Sequence, residues 1–207
     1  MKNSTGMLNA IRWLASLLFI SLLAACGGGD GGTSSSTSLS GVAATGAAMA
    51  NASITVYDAT GKSQTTTADA NGNYKLNDVS GLKAPLLVVA KNDTYTLTAL
   101  VASISGDTVV GNINQLTDRI AADVSGLGTQ ALIDLFKAGS TSSITAALIT
   151  EKTQALRTEI AAALTAAGLD VDGFDPVSIV MQVGDAFDKV LDQVSFSYGT
   201  DGKIVTK

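Results

Sequence analysis

The chain has 207 residues, of which 13 are Lys or Arg, 18 are Asp or Glu and none is His. Lys2 and Arg12 are the only charged residues among the first 25, so the residues that follow carry a net charge of −7. This acidic, sparsely charged composition lacks the basic patch that nucleic-acid binding requires, and no nucleic-acid partner is expected. Because the chain has no His and only one cysteine, Ser-His-Asp and Cys-His catalysis, His-ligated zinc and an internal disulfide are excluded.

The N-terminus has the pattern of a secretory signal peptide. Lys2 and Arg12 precede or flank residues 13–25 (WLASLLFISLLAA), an uncharged apolar run of 13 residues. That length fits the apolar region of a signal peptide and falls short of the roughly 20 residues of a membrane-spanning helix. We therefore predict that residues 1–25 form a cleaved signal peptide.

The apolar run ends in Leu23, Ala24, Ala25 and Cys26, which resemble the lipobox of bacterial lipoproteins. The resemblance implies that the Cys26 thiol receives a diacylglycerol, that cleavage occurs just before Cys26, and that the new amine is acylated as well. It implies no other cofactor, and it places the protein in the bacterial envelope with the membrane as a partner through the lipid. Gly27 is not the aspartate that often retains such proteins at the inner membrane, so the outer membrane is the expected location. An ordinary signal peptide, or a buried helix that ends in cysteine, is the alternative.

Residues 26–38 combine the lipidated cysteine with a Gly/Ser/Thr linker (GGGDGGTSSSTS). Such a composition buries little apolar surface and behaves as a flexible coil. We expect this linker to hold the folded part of the protein away from the membrane.

Residues 39–113 have the pattern of a small β-sandwich. Short alternating runs are separated by turn residues, and Asn71-Gly72 is a strong signal for a hairpin. Residues 86–90 (LLVVA) form a continuous apolar run, which is typical of a central buried strand. Seven or so short strands in about 75 residues indicate a prealbumin-like or Ig-like sandwich.

Part of this region resembles the carboxypeptidase regulatory-like (transthyretin-like) domain. Residues 50–56 (ANASITV) and 66–76 (TTADANGNYKL) are similar to its strand followed by T-D-x-x-G-x-Y-x-L, and the match covers about residues 40–105. The resemblance implies a non-catalytic sandwich that serves as an accessory or spacer module. Tyr57 and Tyr74 are expected to be core or cross-strand residues.

Residues 114–207 have the pattern of an alanine-rich helical region that ends in a hairpin. The apolar period predicts helices over about 116–125, 129–138 and 143–167, with Gly126, Gly139 and Gly168 as stops. Asp175-Pro176 indicates the start of a short helical segment, and Asp185 is a candidate cap for another helix. Residues 194–198 and 203–207 are predicted to form the terminal hairpin, so the whole chain is assigned to the α+β class.

The motifs 114–117 (NQLT) and 173–176 (GFDP) resemble the C-terminal region of lipoproteins from β-proteobacteria that have no assigned activity. This resemblance supports the organisation of the chain into these parts. It implies no function.

Asp170, Asp172 and Asp175 form the one tight acidic cluster. Three carboxylates this close could coordinate calcium with the help of backbone carbonyls. The alternative is that they are loop and capping residues around Gly168 and Pro176. We therefore name no metal site and keep the three aspartates as weak candidates.

Three functions are compatible with this sequence. The leading hypothesis is a non-enzymatic envelope lipoprotein with a structural, adhesive or partner-binding role. The second is a carbohydrate-binding accessory module of the envelope. An envelope protein or a polysaccharide is the expected partner. The third is an enzyme that uses carboxylates or a metal. No residue is singled out as catalytic.

Overall fold

The computed structural model describes residues 36–182, 184–200 and 204–206. The predicted signal peptide, the lipobox residues Leu23, Ala24 and Ala25, the lipidation site Cys26 and most of the linker lie outside these residues. The described residues fall within one compact unit that spans residues 35–207. No helix in the described part is both long enough and apolar enough to cross a membrane.

Seven strands of the predicted β region form two sheets. The strands are β1 (Ser38–Val42), β2 (Ser53–Tyr57), β3 (Ser63–Thr67), β4 (Asn73–Leu76), β5 (Leu86–Lys91), β6 (Thr96–Val101) and β7 (Thr108–Val110). One sheet has the order β4-β1-β7, in which β1 runs antiparallel to β4 and parallel to β7. The other sheet is antiparallel and has the order β3-β2-β5-β6.

The predicted hairpin at Asn71-Gly72 is wrong. Strands β3 and β4 flank this turn, yet they pair in different sheets, β3 with β2 and β4 with β1. The turn is built locally, because one Asp69 carboxylate oxygen accepts hydrogen bonds from the backbone N–H groups of Asn71 and Asn73. Gly72 has a φ of 80°, and a side chain there would collide with the carbonyl oxygen of Ala43, the residue that follows β1. The turn therefore carries the chain from one sheet to the other.

The two sheets share a buried apolar cluster. Leu39 and Tyr74 contribute to it from the three-stranded sheet, and Ile54, Val88 and Ala99 contribute from the four-stranded sheet. Tyr74 is 4% exposed, and its hydroxyl donates to the Gly111 carbonyl. The prediction that Tyr74 is a core residue is confirmed.

Five helices follow the strands in the described part of the chain. They are α1 (Gln115–Ser125), α2 (Thr129–Lys137), α3 (Ala146–Glu159), α4 (Ala161–Ala166) and α5 (Ala186–Gln193). The first two agree with the predicted helices, and α1 ends at Gly126 with a φ of 68°. The α+β class is confirmed.

The helices cover the other face of the four-stranded sheet. Leu87, Val89 and Leu100 point to this side and form a second buried cluster with helical residues such as Leu116 and Phe136. Because successive strand residues point to opposite faces, β5 is buried on both sides, as its apolar run predicted. The four-stranded sheet is thus the middle of three layers.

The third predicted helix is in fact two helices. Residues 143–167 were expected to be continuous, but the backbone leaves the helical conformation at Ile160, with a ψ of 14°. Leu156, Ile160 and Leu164 all remain buried across this break. The apolar side chains of this segment are therefore buried even though the helix is interrupted.

Asp175-Pro176 starts a turn rather than a helix. The Asp175 carboxylate accepts from the Val177 N–H and the Ser178 hydroxyl, which are capping contacts, but among the residues described between them no helix follows before Ala186. Asn112 explains why, because its N–H and side-chain amide donate to the carbonyls of Val177 and Ile179. These carbonyls are therefore held by the sheet region.

The last two predicted elements are present. Helix α5 begins after Asp185, whose carboxylate accepts from the N–H groups of Phe187 and Asp188. Strands β8 (Phe196–Tyr198) and β9 (Ile204–Thr206) pair in antiparallel fashion as the terminal hairpin.

Candidate functional site

A cleft of about 420 Å³ opens between α3, the β6–β7 connection and residues 175–178. We call it the Arg157 cleft. Buried apolar side chains, including Val101, Val109 and Val177, form part of its wall. Its volume lies within the range of roughly 300–1,000 Å³ that is common for small-molecule sites.

The charged groups of the Arg157 cleft are held by the protein itself. An Nη atom of Arg157 donates to the Asp172 carbonyl, and the buried Nε has no hydrogen-bond partner among the described residues. Asp175 accepts from the Val177 N–H at 3.0 Å and from the Ser178 hydroxyl at 2.7 Å. The remaining Nη donors of Arg157 make no hydrogen bond within the described residues.

Some hydroxyl groups of the cleft make hydrogen bonds within the protein and others do not. Thr150 and Thr153 on α3 donate to backbone carbonyls one turn earlier in their own helix. Ser103 and Ser105, on the opposite wall, make no side-chain hydrogen bond within the described residues. The cleft can therefore offer hydrogen bonds and one cation to a ligand.

The structure does not bring the three candidate aspartates together as a metal site. Asp175 faces the Arg157 cleft, whereas Asp170 accepts from the Asp172 N–H at 3.1 Å in the preceding loop. Within the described residues, no group of three acidic, histidine or cysteine side chains is placed to hold a metal ion. The hydrogen bonds of Asp170 and Asp175 are those of loop and capping residues.

Two adjacent strands carry a surface made of hydroxyl groups. Since cross-strand partners share a face, three hydroxyl pairs of β2 and β3 lie on the same side of the four-stranded sheet as Leu87 and Val89, which is the side that faces the helices. The pairs are Ser53 with Thr67, Thr55 with Thr65, and Tyr57 with Ser63. We call this surface the hydroxyl face.

The hydroxyl face was not predicted as a site. The polar composition of residues 64–68 is typical of a strand with one solvated face, but it does not identify the partner of that strand. Alternating hydroxyl residues in both 53–57 and 63–67 were the available signal. Only the register shows that they lie on the same side.

Asp118 is a second group to which the sequence assigns no role. It lies on α1 at the interface with the four-stranded sheet and is 1% exposed. Its carboxylate accepts from the Thr98 N–H at 2.9 Å, from the Thr98 hydroxyl at 2.5 Å and from the more distant Thr129 hydroxyl at 3.4 Å. Burial raises the pKa of Asp118 to about 6, even though these hydrogen bonds favour the charged form. Asp118 belongs neither to the lining of the Arg157 cleft nor to the hydroxyl face, so its position is that of a structural group.

Comparison of the chain with protein-family models, with curated proteins and with solved structures gave no match.

Proposed function

We propose that this chain is a lipid-anchored protein of the bacterial envelope with a non-enzymatic structural, adhesive or partner-binding role. The observation that carries the proposal is the order of its N-terminal segments. An apolar run ends in Leu23, Ala24, Ala25 and Cys26, and a Gly/Ser linker separates Cys26 from a folded body. Two acyl signals on one residue give stable attachment to a bilayer, whereas one chain alone binds only weakly.

We further propose that the two sheets form a sandwich of the carboxypeptidase regulatory-like type. Sheets of three and four strands with a common apolar cluster support this assignment. A buried Tyr74 after the turn at Gly72 agrees with the motif of that domain. A domain of this type would serve as a spacer or accessory module, in line with a non-enzymatic role.

Substitution of Cys26 tests the anchor. Cys26→Ser removes the sulfur that would carry the diacylglycerol, so the chain should lose its lipid mass and move from the membrane to the soluble fraction. Ser34→Ala, in the same linker, is the matched control and should stay with the membrane. The measurement is mass spectrometry of the N-terminal peptide together with fractionation.

The substitution Cys26→Ser should leave the stability of the folded body unchanged. Limited proteolysis is expected to leave the same resistant fragment in Cys26→Ser and in the native chain. Retention of Cys26→Ser in the membrane fraction, or an unmodified thiol on the native chain, contradicts the proposed anchor.

A carbohydrate-binding accessory module is the second candidate function. The hydroxyl face favours it, because six adjacent hydroxyl residues, four of them exposed, offer donors and acceptors of the kind that sugars present. An envelope polysaccharide would then be the partner.

A further inference from the structure

We propose that the hydroxyl face and the pocket beside it bind an acidic polysaccharide. This inference rests on the carbohydrate-binding candidate and names its ligand class; it does not depend on the lipid anchor at Cys26. Three features support the inference: hydroxyl groups that make no hydrogen bond within the described residues, a pocket that continues from them, and the positive charge of that pocket.

The hydroxyl groups of this face are not used by the protein. Within the described residues, none of the six makes a side-chain hydrogen bond to another protein group. Ser53, Ser63, Thr65 and Thr67 are exposed, and Thr55 and Tyr57 are half-buried. A Ser or Thr hydroxyl can both donate and accept, and its rotation lets it match the hydroxyls of different sugar units.

The face is long enough for a chain ligand. Strand residues rise about 3.3 Å each, so Ser53 to Tyr57 spans roughly 13 Å, with a second row of hydroxyls about 5 Å away on β3. Paired rows of this length fit an extended polymer better than a compact solute. The inward partners, Ile54 and Val56, are buried between the sheets and hold the rows in place.

A pocket of about 210 Å³ continues from the hydroxyl face towards α2. Its lining includes Ser53, Thr55 and Tyr57 of the face, so the two surfaces are contiguous. This volume is below that of a typical small-molecule site, which is consistent with a pocket for one unit or one substituent of a longer ligand.

The pocket is positively charged. Lys91 and Lys137 are part of its lining, and no carboxylate is. Lys137 lies 3.7 Å from Asp134, but that pair is exposed and weak, and Asp134 also accepts from Gln130. Lys91 has no ion-pair partner among the described residues. Two ammonium groups on an otherwise acidic protein select a carboxylate or other anionic group on the polysaccharide.

The pocket has a defined shape because α2 is fixed against the β2–β3 hairpin. Gly61 of the β2–β3 turn and Gly139 after α2 approach each other so closely that a side chain at either would meet backbone atoms within 2.9 Å. The Thr141 hydroxyl also donates to the Ala59 carbonyl at 3.0 Å. These contacts join the end of α2 to the hairpin that carries the hydroxyl face.

Binding of the full chain, purified in detergent, to three immobilised polymers tests the inference. The probes are alginate as a polyuronate, dextran as a neutral polysaccharide and polyglutamate as a polyanion without sugar. The paired variant Thr55→Val/Thr65→Val keeps β-branched side chains on the strands and removes two hydroxyls. The paired variant Lys91→Gln/Lys137→Gln removes the charges.

We expect the native chain to bind alginate in preference to dextran and polyglutamate. Each paired variant should raise the Kd for alginate by about tenfold, which corresponds to the loss of two modest hydrogen bonds or ion pairs. Ser103→Ala/Ser105→Ala removes two hydroxyls from the Arg157 cleft, and Lys75→Gln/Lys189→Gln removes two exposed lysines elsewhere. Both controls should bind alginate as the native chain does. Far-UV circular dichroism checks that every variant is folded.

Several results would overturn the inference. Absence of alginate binding by the native chain rejects both the site and the carbohydrate-binding candidate. Equal binding of alginate and dextran, unaffected by the lysine pair, keeps the candidate function but rejects the acidic ligand. Equal binding of polyglutamate, unaffected by the threonine pair, shows that charge alone accounts for attachment.

Discussion

Two fully buried aspartates of this protein have opposite pKa shifts. Burial favours the neutral form of both, but the Asp58 carboxylate accepts from the backbone N–H groups of Thr60, Lys62 and Lys83 and from the Thr60 hydroxyl. These bonds together lower the pKa of Asp58 below its ordinary value of 3.8. Asp118 receives one backbone N–H group among the described residues, so burial dominates and its pKa rises to about 6. The hydrogen bonds of Asp58 therefore outweigh its burial, whereas those of Asp118 do not.

Asp118 should make the stability of the protein depend on pH. Because its folded pKa of about 6 exceeds the unfolded value of 3.8, folding binds a proton between these values. The stabilisation is present below pH 3.8 and is lost as the pH rises through 6. From pH 4 to pH 7 we expect the contribution of Asp118 to the free energy of unfolding to fall by about 2 kcal/mol. Urea denaturation at a series of pH values measures it.

The matched variants isolate this single carboxyl. Asp118→Asn keeps an oxygen that can accept from Thr98 but cannot ionise, so its stability should fall less between pH 4 and pH 7 than that of the native chain. Asp107→Asn, at an exposed loop, should follow the native profile. Equal pH profiles for Asp118→Asn and the native chain would show that Asp118 is not the responsible group.

The environment of a single residue can be predicted from sequence only where its partners are its neighbours in the chain. Cys26 can be assigned from its neighbours in sequence, because the lipobox is a local signal, and its lipidation stays a prediction. Asp118 carries no local mark, since its environment is made by Thr98 and Thr129 on other elements. The hydroxyl face likewise depends on strand register, which no local pattern specifies.

At the scale of elements, α1 is fixed by its first turn. Asn114 and Thr117 form a reciprocal capping box, in which each side chain accepts from the backbone N–H of the other. Both residues are fully buried, and the Thr117 hydroxyl also lies 2.8 Å from the Thr98 carbonyl of β6. The cap therefore joins the helix to the middle sheet.

Removal of this cap should destabilise the whole protein. Asn114→Ala leaves the buried Thr117 N–H without its acceptor, and we expect a loss of about 2 kcal/mol in the free energy of unfolding. Asn114→Ser retains a capping oxygen and should recover a large part of the loss. Thermal or urea denaturation compares them, and equal stabilities of the two variants would contradict a capping role.

Element boundaries were predictable where one local rule dominated. Helix α1 has an apolar period and a terminal glycine, and α5 has a capping aspartate, so both follow from sequence. The turn at Gly72 and the segment after Asp175 have equally good local signals, yet tertiary partners decide them. Strand β4 pairs with β1 instead of β3, and Asn112 donates hydrogen bonds to the carbonyls of Val177 and Ile179.

At the scale of the molecule, the middle sheet joins the β region to the helical region. Leu87 and Val89 of β5 are buried in the cluster that contains the helices, while Leu86 and Val88 are buried in the cluster that contains the three-stranded sheet. Without the helices, one apolar face of the sheet would meet water. Stability of the two regions should therefore be shared.

Leu86 and Leu87 provide a matched pair for testing this coupling. They are adjacent, both fully buried, and belong to the two different clusters. Leu86→Ala and Leu87→Ala should each lower the free energy of unfolding by about 2–5 kcal/mol. Because the middle sheet links both clusters, hydrogen exchange in denaturant should accelerate equally in peptides from α1 and from β4 in either variant. Val180→Ala, at an 84% exposed position, should change neither. If Leu87→Ala loosens α1 alone while β4 stays protected, the two regions unfold independently.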